Sequence, residues 1–231
     1  MGTNILEELR GNIIISVQAM PSEPLYDEVC INAMIKSVIT GGAKGLRVAG
    51  ERDVRNAKKL TNVPVIGITK PEKIPENYKE LVYITPSIKD AEKLINAGAD
   101  IIAFDATPRD RGVDEDLSQI IDFIHSKNRL AMADISTFEE GINNAALGAD
   151  ILSTTLSGYT TYSENASDEP DFELVKKLSS AVETPVILEG RIWTPEDVEK
   201  AFACGAFSVV IGSAVTRPQL ITKRFVQALK K

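Results

Sequence analysis

The stretch Ile88-Lys89-Asp90-Ala91-Glu92-Lys93-Leu94-Ile95-Asn96-Ala97-Gly98-Ala99-Asp100-Ile101-Ile102-Ala103-Phe104-Asp105 holds a helix, a stop and a strand in sequence. Ala91, Leu94 and Ile95 recur at helical spacing, which predicts a helix over 88–97 with one apolar face. Gly98 follows at the place where a helix ends in a left-handed residue, a conformation that costs glycine nothing because it has no Cβ. Residues 100–104 then form an apolar run without alternation, as expected of a strand buried on both faces of a parallel sheet. The same punctuation returns in Leu147-Gly148-Ala149-Asp150 and Cys204-Gly205-Ala206, so the unit repeats along the chain.

Working outward, eight apolar runs read as strands: 13–17, 45–48, 63–68, 100–104, 130–134, 150–154, 185–188 and 208–211. A ninth short run, 81–85, contains Tyr83 and reads as an extra segment before the helix at 88–97. Helices are expected over 26–39, 88–97, 117–125, 138–147, 172–181, 195–203 and 218–229. Thr194-Pro195-Glu196 marks one helix start, with Thr as the cap and Pro in the first turn, where its missing N–H is no loss. Strand–helix alternation builds either an open doubly wound sheet or a closed barrel. Eight strands favour the barrel, and no GxGxxG follows the first strand to mark a dinucleotide site. The expectation is an α/β fold, a single (β/α)8 TIM barrel spanning all 231 residues.

Composition excludes several functions. The net charge of -7 and a pI near 5.0, with Lys and Arg dispersed, argue against nucleic-acid binding. No apolar run approaches the roughly 18 residues of a membrane span. Residues 1–10 carry Glu7 and Glu8 and no apolar stretch, so no secretion signal is expected. Two cysteines without CxxC spacing suggest a reduced, cytoplasmic setting. The single histidine, His125, rules out a metal site built from several histidines, and its place late in a helix points away from catalysis.

In such barrels the site forms where the strands end at their C-terminal face. Those ends carry Gln18, Arg47, Lys70, Asp105 with Thr107 and Arg109 beyond, Asp134, Thr154 with Thr155, Glu189-Gly190-Arg191, and Gly212-Ser213 followed by Arg217. Glycines after the seventh and eighth strands are where barrels commonly bind phosphate, with a helix start supplying free N–H groups. Either Arg191 or Arg217 would add a forked donor pair. A desolvated Lys70 would serve as a base or a Schiff-base former near neutral pH, with Glu189 as its partner carboxylate. Asp134 and Asp105 each read as a hydroxyl ligand, as an orienting group, or as a helix cap.

These strand ends resemble a known family. Ser16-Val17-Gln18-Ala19, Gly45-Leu46-Arg47, Gly67-Ile68-Thr69-Lys70, Asp105-Ala106-Thr107-Pro108-Arg109 and Ala133-Asp134-Ile135-Ser136-Thr137 are similar, in order, to N-acetylmannosamine-6-phosphate 2-epimerases. So are Leu152-Ser153-Thr154-Thr155-Leu156-Ser157-Gly158-Tyr159-Thr160, Glu189-Gly190-Arg191 and Ile211-Gly212-Ser213-Ala214. The resemblance implies conversion of N-acetylmannosamine 6-phosphate to N-acetylglucosamine 6-phosphate in sialic-acid breakdown. It implies Lys70 as the catalytic lysine that removes the C2 proton and Glu189 as its partner. By the resemblance Gln18, Arg47 and Asp134 would meet the sugar, and Gly190, Gly212, Ser213 and Arg217 would lie near the phosphate; from their strand-end positions Asp105 and Thr154 are expected to join the sugar contacts and Arg191 the phosphate contacts. It further implies no cofactor, no metal and a homodimer. The chain departs from the family pattern at Val17, at Pro71-Glu72-Lys73 where Arg-Asp-Tyr is common, and at Leu188. Two other readings share these residues: a lyase or aldolase forming a Schiff base on Lys70, and a barrel that only senses a sugar phosphate.

Overall fold

The computed structural model describes residues 2–163 and 168–229; Met1, residues 164–167, Lys230 and Lys231 lie outside it, together with the parts of the expected single domain that fall on them. Eight strands close into a barrel: β1 (Ile13–Val17), β2 (Gly45–Ala49), β3 (Val65–Ile68), β4 (Ile101–Asp105), β5 (Leu130–Asp134), β6 (Ile151–Ser153), β7 (Val186–Glu189) and β8 (Ser208–Ile211). Every strand pairs in parallel with its sequence neighbour, and β1 pairs with β8 to complete the ring. Parallel pairing demands a crossover after each strand, and helices on the outside supply it. The expected strands stand within one or two residues of these bounds.

The helices are α1 (Gly2–Leu9), α2 (Glu28–Thr40), α3 (Glu51–Leu60), α4 (Ile88–Ala97), α5 (Leu117–Ser126), α6 (Phe138–Ala146), α7 (Phe172–Ala181), α8 (Pro195–Ala203), α9 (Ser213–Thr216) and α10 (Pro218–Ala228). Their starts are chemically marked. Asp116 with Gln119, Thr137 with Glu140, and Thr194 with Asp197 form reciprocal capping boxes, and Pro195 stands in the first turn of α8. Gly98, Gly148 and Gly205 all have positive φ, so the repeated glycine punctuation does end helices as the sequence predicts.

Three helices are additions to the sequence reading. α3 has only Val54, Ala57 and Leu60 on its apolar side, in a run otherwise dense in charge, so a search for apolar runs passes over it. α1 precedes the barrel, and its Leu9 is fully buried in the barrel interior beside Ile14. α9 is a single turn after β8.

Two apolar layers hold the fold. Inside the ring lie Ile14, Ile66, Ile101, Met132, Ile151, Ile187 and Val210. Between ring and helices lie residues such as Ile35, Leu46, Val54, Leu94, Phe104, Ile121, Leu152, Val175 and Leu188. The expected ninth run does not join the sheet. Leu81 makes one isolated bridge to Asp110, and the segment then folds back over the end of β3, where Thr69 N–H donates to Thr85 Oγ1 (3.0 Å). Among the described residues, no helix is long and apolar enough to cross a membrane.

Candidate active site

At the C-terminal end of the ring, one buried cation organises two carboxylates from different strands. Arg47 on β2 is 1% exposed and forks onto Asp134 at the end of β5, with Nη1 to Oδ1 at 2.9 Å and Nη2 to Oδ2 at 2.5 Å. Its Nη1 also stands 3.0 Å from Oε2 of Glu189, which ends β7. Burial opposes the charge on Arg47, but Asp134 and Glu189 outweigh it and hold the guanidinium protonated. The Thr155 hydroxyl stands between the two acids, 2.7 Å from Asp134 Oδ1 and 3.1 Å from Glu189 Oε2. Burial raises the pKa of Glu189; Arg47 pulls it back and the Asp134 charge adds to the rise. Glu189 is thus a carboxyl group that holds a proton more readily than one in water.

Lys70 follows β3 and enters the same space. Its Nζ donates to Gln18 Oε1 at 2.8 Å, and Gln18 Nε2 donates to Ser16 Oγ at 2.8 Å. Burial, and then the cations Arg47 and Arg217, lower the Lys70 pKa to about 8, against the pull of Glu189 and Asp134. At neutral pH such a lysine has an appreciable neutral fraction and can accept a proton.

These groups open into a cavity of about 470 Å³. Lys70, Glu189, Gln18, Ser16 and Thr155 form one part of its wall. Gly190, Gly212, Ser213, Thr216 and Arg217 form another, and Tyr83, Ile84, Leu156 and Tyr159 close a third side. Gly190 has φ +109°, which a side chain would strain, and α9 starts at Ser213 on the same cavity wall. Glycine turns and a helix start together can surround an anion with backbone N–H groups. Arg217 links α9 to α10 and reaches the same wall.

The structure therefore brings Lys70, Glu189, Gln18, Gly190, Gly212, Ser213 and Arg217 together around one cavity. Five further expected site residues are buried next to this cavity or already bonded to protein partners. Arg47 and Asp134, expected to contact substrate, lie beneath the wall, because each satisfies the other's charge there; Asp134 caps no helix, that part being taken by Thr137. Asp105 is also fully buried and outside the wall. It accepts from Thr107 Oγ1 (2.7 Å) and pairs with Arg109, and its pKa is raised to about 6 by burial against the pull of Arg109. Thr154 exchanges hydrogen bonds with the Glu189 backbone (3.1 Å each way), and Thr155 occupies the cavity wall in its place. Arg191 lines the cavity, but its Nε and Nη1 are spent on the carbonyls of Glu169 (2.7 Å) and Ser157 (2.6 Å).

Tyr83 and Tyr159 are wall residues outside the strand ends, and Thr155, present at a strand end, has no role assigned from the sequence. Tyr83 belongs to the ninth run, whose fold-back is not coded by periodicity. Burial raises its phenol pKa to about 12. His125 sits away from the cavity at the end of α5 and meets Asp150 at 2.8 Å. Among the described residues, no three His, Cys, Asp or Glu side chains are grouped to hold a metal ion.

Comparison with known proteins narrows this geometry. The NanE family model, described as N-acetylmannosamine-6-phosphate epimerase, matches residues 31–231. A protein of Clostridium perfringens (strain 13) named N-acetylmannosamine-6-phosphate 2-epimerase is 47% identical over 227 residues, covering 98% of this chain and 100% of that one. A protein of the same name from Clostridioides difficile (strain 630) is 44% identical over 227 residues, covering 98% and 99%. The solved N-acetylmannosamine-6-phosphate 2-epimerase of Clostridium perfringens superposes with a TM-score of 0.91 at 46% identity, over 97% of this chain and 96% of that one. A thiamine phosphate pyrophosphorylase from Pyrococcus furiosus, at 16% identity and TM-score 0.63 over 95% and 93%, shares the fold alone. With the family model covering most of the chain and near-full-length relatives well above a third identical, this chain belongs to the N-acetylmannosamine-6-phosphate epimerase family.

Proposed function

We propose that this protein is an isomerase that interconverts N-acetylmannosamine 6-phosphate and N-acetylglucosamine 6-phosphate by moving the proton on C2, as a step in amino-sugar and sialic-acid breakdown. The observation that carries the reading is Lys70: a lysine with its pKa lowered to about 8, held by the neutral amide of Gln18, in the same cavity as the carboxyl group of Glu189. The C2 proton becomes acidic once the sugar opens and C1 is an aldehyde. Neutral Lys70 takes that proton, leaving an enolate whose charge sits on the C1 oxygen. The resulting ammonium then stands beside the developing oxyanion, and the hydroxyl of Ser16 faces the same space as a donor. Return of a proton to the opposite face inverts C2, from Lys70 itself or from Glu189.

Gly190, Gly212, Ser213 and Arg217 take the phosphate, and binding there supplies energy remote from the reacting carbon. Arg47 and Asp134 act from below, keeping Glu189 in place and its charge matched. The chemistry asks for neither cofactor nor metal. The free thiols Cys30 and Cys204 suit a cytoplasmic setting, and the exposed apolar side chains Phe225, Val226 and Leu229 on and just after α10 suit a homodimer.

The test is direct. Purified protein, treated with a chelator and given N-acetylmannosamine 6-phosphate, is expected to form N-acetylglucosamine 6-phosphate until the two epimers reach a constant ratio, with no loss of activity on addition of borohydride during turnover. Inactivation that depends on both borohydride and substrate would instead mark a Schiff base on Lys70.

A further inference from the structure

Arg217 on the cavity wall is backed by a carboxylate that a simple anion site would avoid. Glu23, in the turn between β1 and α2, sits behind Arg217. Its Oε2 accepts from Arg217 Nη2 at 3.1 Å and from the Met20 backbone N–H at 2.8 Å, and its Oε1 accepts from Gln219 Nε2 at 3.0 Å. The backbone of the turn is fixed as well, with Glu23 N–H donating to the Met20 carbonyl at 2.8 Å. One carboxylate thereby joins residues almost two hundred positions apart, at both ends of the ring closure. Its cost is plain, since a negative charge beside Arg217 weakens the field that an incoming phosphate meets.

We propose that Glu23 is a positioning residue for the phosphate, holding the Arg217 guanidinium so that its remaining N–H groups face the cavity before substrate arrives. Three features support this. First, Arg217 is the linker residue between α9 and α10, with its carbonyl accepting from Leu220 and Ile221 N–H groups, so its backbone is set and only the long side chain is left to order. Second, the other candidate, Arg191, has its Nε and Nη1 bonded to two backbone carbonyls, which leaves Arg217 the less encumbered guanidinium on the wall. Third, Gln219 in the first turn of α10 shares the same carboxylate, so Glu23 also fixes the direction in which α10 leaves the site. An arginine already in its bound rotamer loses less freedom when phosphate binds.

The proposal rests on the sugar-phosphate reading of the site, and its sign separates it from plain electrostatics. If Glu23 only repelled phosphate, removing it would tighten binding; if it positions Arg217, removal weakens binding. Glu23→Ala is expected to raise KM for N-acetylmannosamine 6-phosphate about tenfold with kcat within about twofold, because only the remote binding energy is touched. Glu23→Gln keeps one acceptor oxygen and is expected to fall between Glu23→Ala and the wild type. The dissociation constant for inorganic phosphate, read from the fluorescence of Trp193 in the cavity wall, should rise in parallel. A KM and phosphate constant that stay level or fall in Glu23→Ala overturn the proposal, as does wild-type protein that binds no phosphate. If Glu23→Ala does not fold, as judged by thermal melting, the same comparison is made on Glu23→Gln. If the wild type binds phosphate yet does not epimerise the sugar, the activity reading fails and the phosphate titration alone decides the role of Glu23.

Discussion

The lysine at the end of β3 shows how environment sets chemistry at the scale of one residue. Burial and the cations Arg47 and Arg217 bring Lys70 to a pKa of about 8. A base must be unprotonated, so the active form grows as pH rises through 8 and is lost below it. The expected kcat/KM therefore increases with pH on its acidic limb, falling about tenfold per unit below that value. A profile flat between pH 6 and 9 would speak against Lys70 as the base. Residue chemistry was also the most legible part of the sequence, because a lysine, a glutamate and two glycines at strand ends need explanation. Direction of side chains was the least legible. Thr154 and Thr155 are adjacent, and strand alternation alone does not choose between them. β6 stops at Ser153, and one turn of 3-10 helix over Thr154–Leu156 aims Thr155 at Asp134 and Glu189. Arg47 and Asp134 likewise announced charge but not that they would neutralise one another below the cavity.

Elements meet the site through their loops, and the β3–α4 connection is the clearest case. It carries Lys70 at one end and Tyr83 and Ile84 over the cavity. The loop after β4 clamps it. Arg109 pairs with buried Asp105 and donates from Nη1 to the Tyr78 carbonyl at 2.8 Å, and Val82 N–H donates to the Asp110 carbonyl at 2.8 Å. Replacing Arg109 by Ala strands Asp105 without its ion partner, and breaking a buried pair in this way costs on the order of 3 kcal/mol. Arg109→Ala is expected to lower the melting temperature by several degrees and to loosen the wall that Tyr83 forms; an unchanged melting temperature would show that the clamp carries little. The sequence places Asp105 and Arg109 in one strand-end stretch and assigns Asp105 to the substrate, without showing that the two would pair. Helices told a similar story. α4, α7 and α8 match their expected bounds because apolar spacing and caps coincide, whereas α3 shows few apolar residues among many charges and escaped notice.

For the whole molecule, eightfold repetition made the barrel readable: each unit has a buried strand followed by a helix, three of the helices end in the same glycine stop, and parallel strands with helical crossovers close only in a few ways. What repetition leaves unspecified is what departs from it, namely α1 beneath the ring, the folded-back segment at 81–85 and the α9–α10 arm bearing Arg217. Of those departures, the segment at 81–85 and the α9–α10 arm supply residues to the cavity wall, whereas α1 packs inside the other end of the ring. The central claim is that the assembled cavity moves a proton at C2 through Lys70. Its most direct test is NMR of N-acetylmannosamine 6-phosphate incubated in heavy water with the wild type and with Lys70→Ala. The account predicts N-acetylglucosamine 6-phosphate carrying deuterium at C2 with the wild type, and neither epimer nor exchange with a folded Lys70→Ala. Epimer formed without deuterium at C2, or full exchange in the variant, would contradict it.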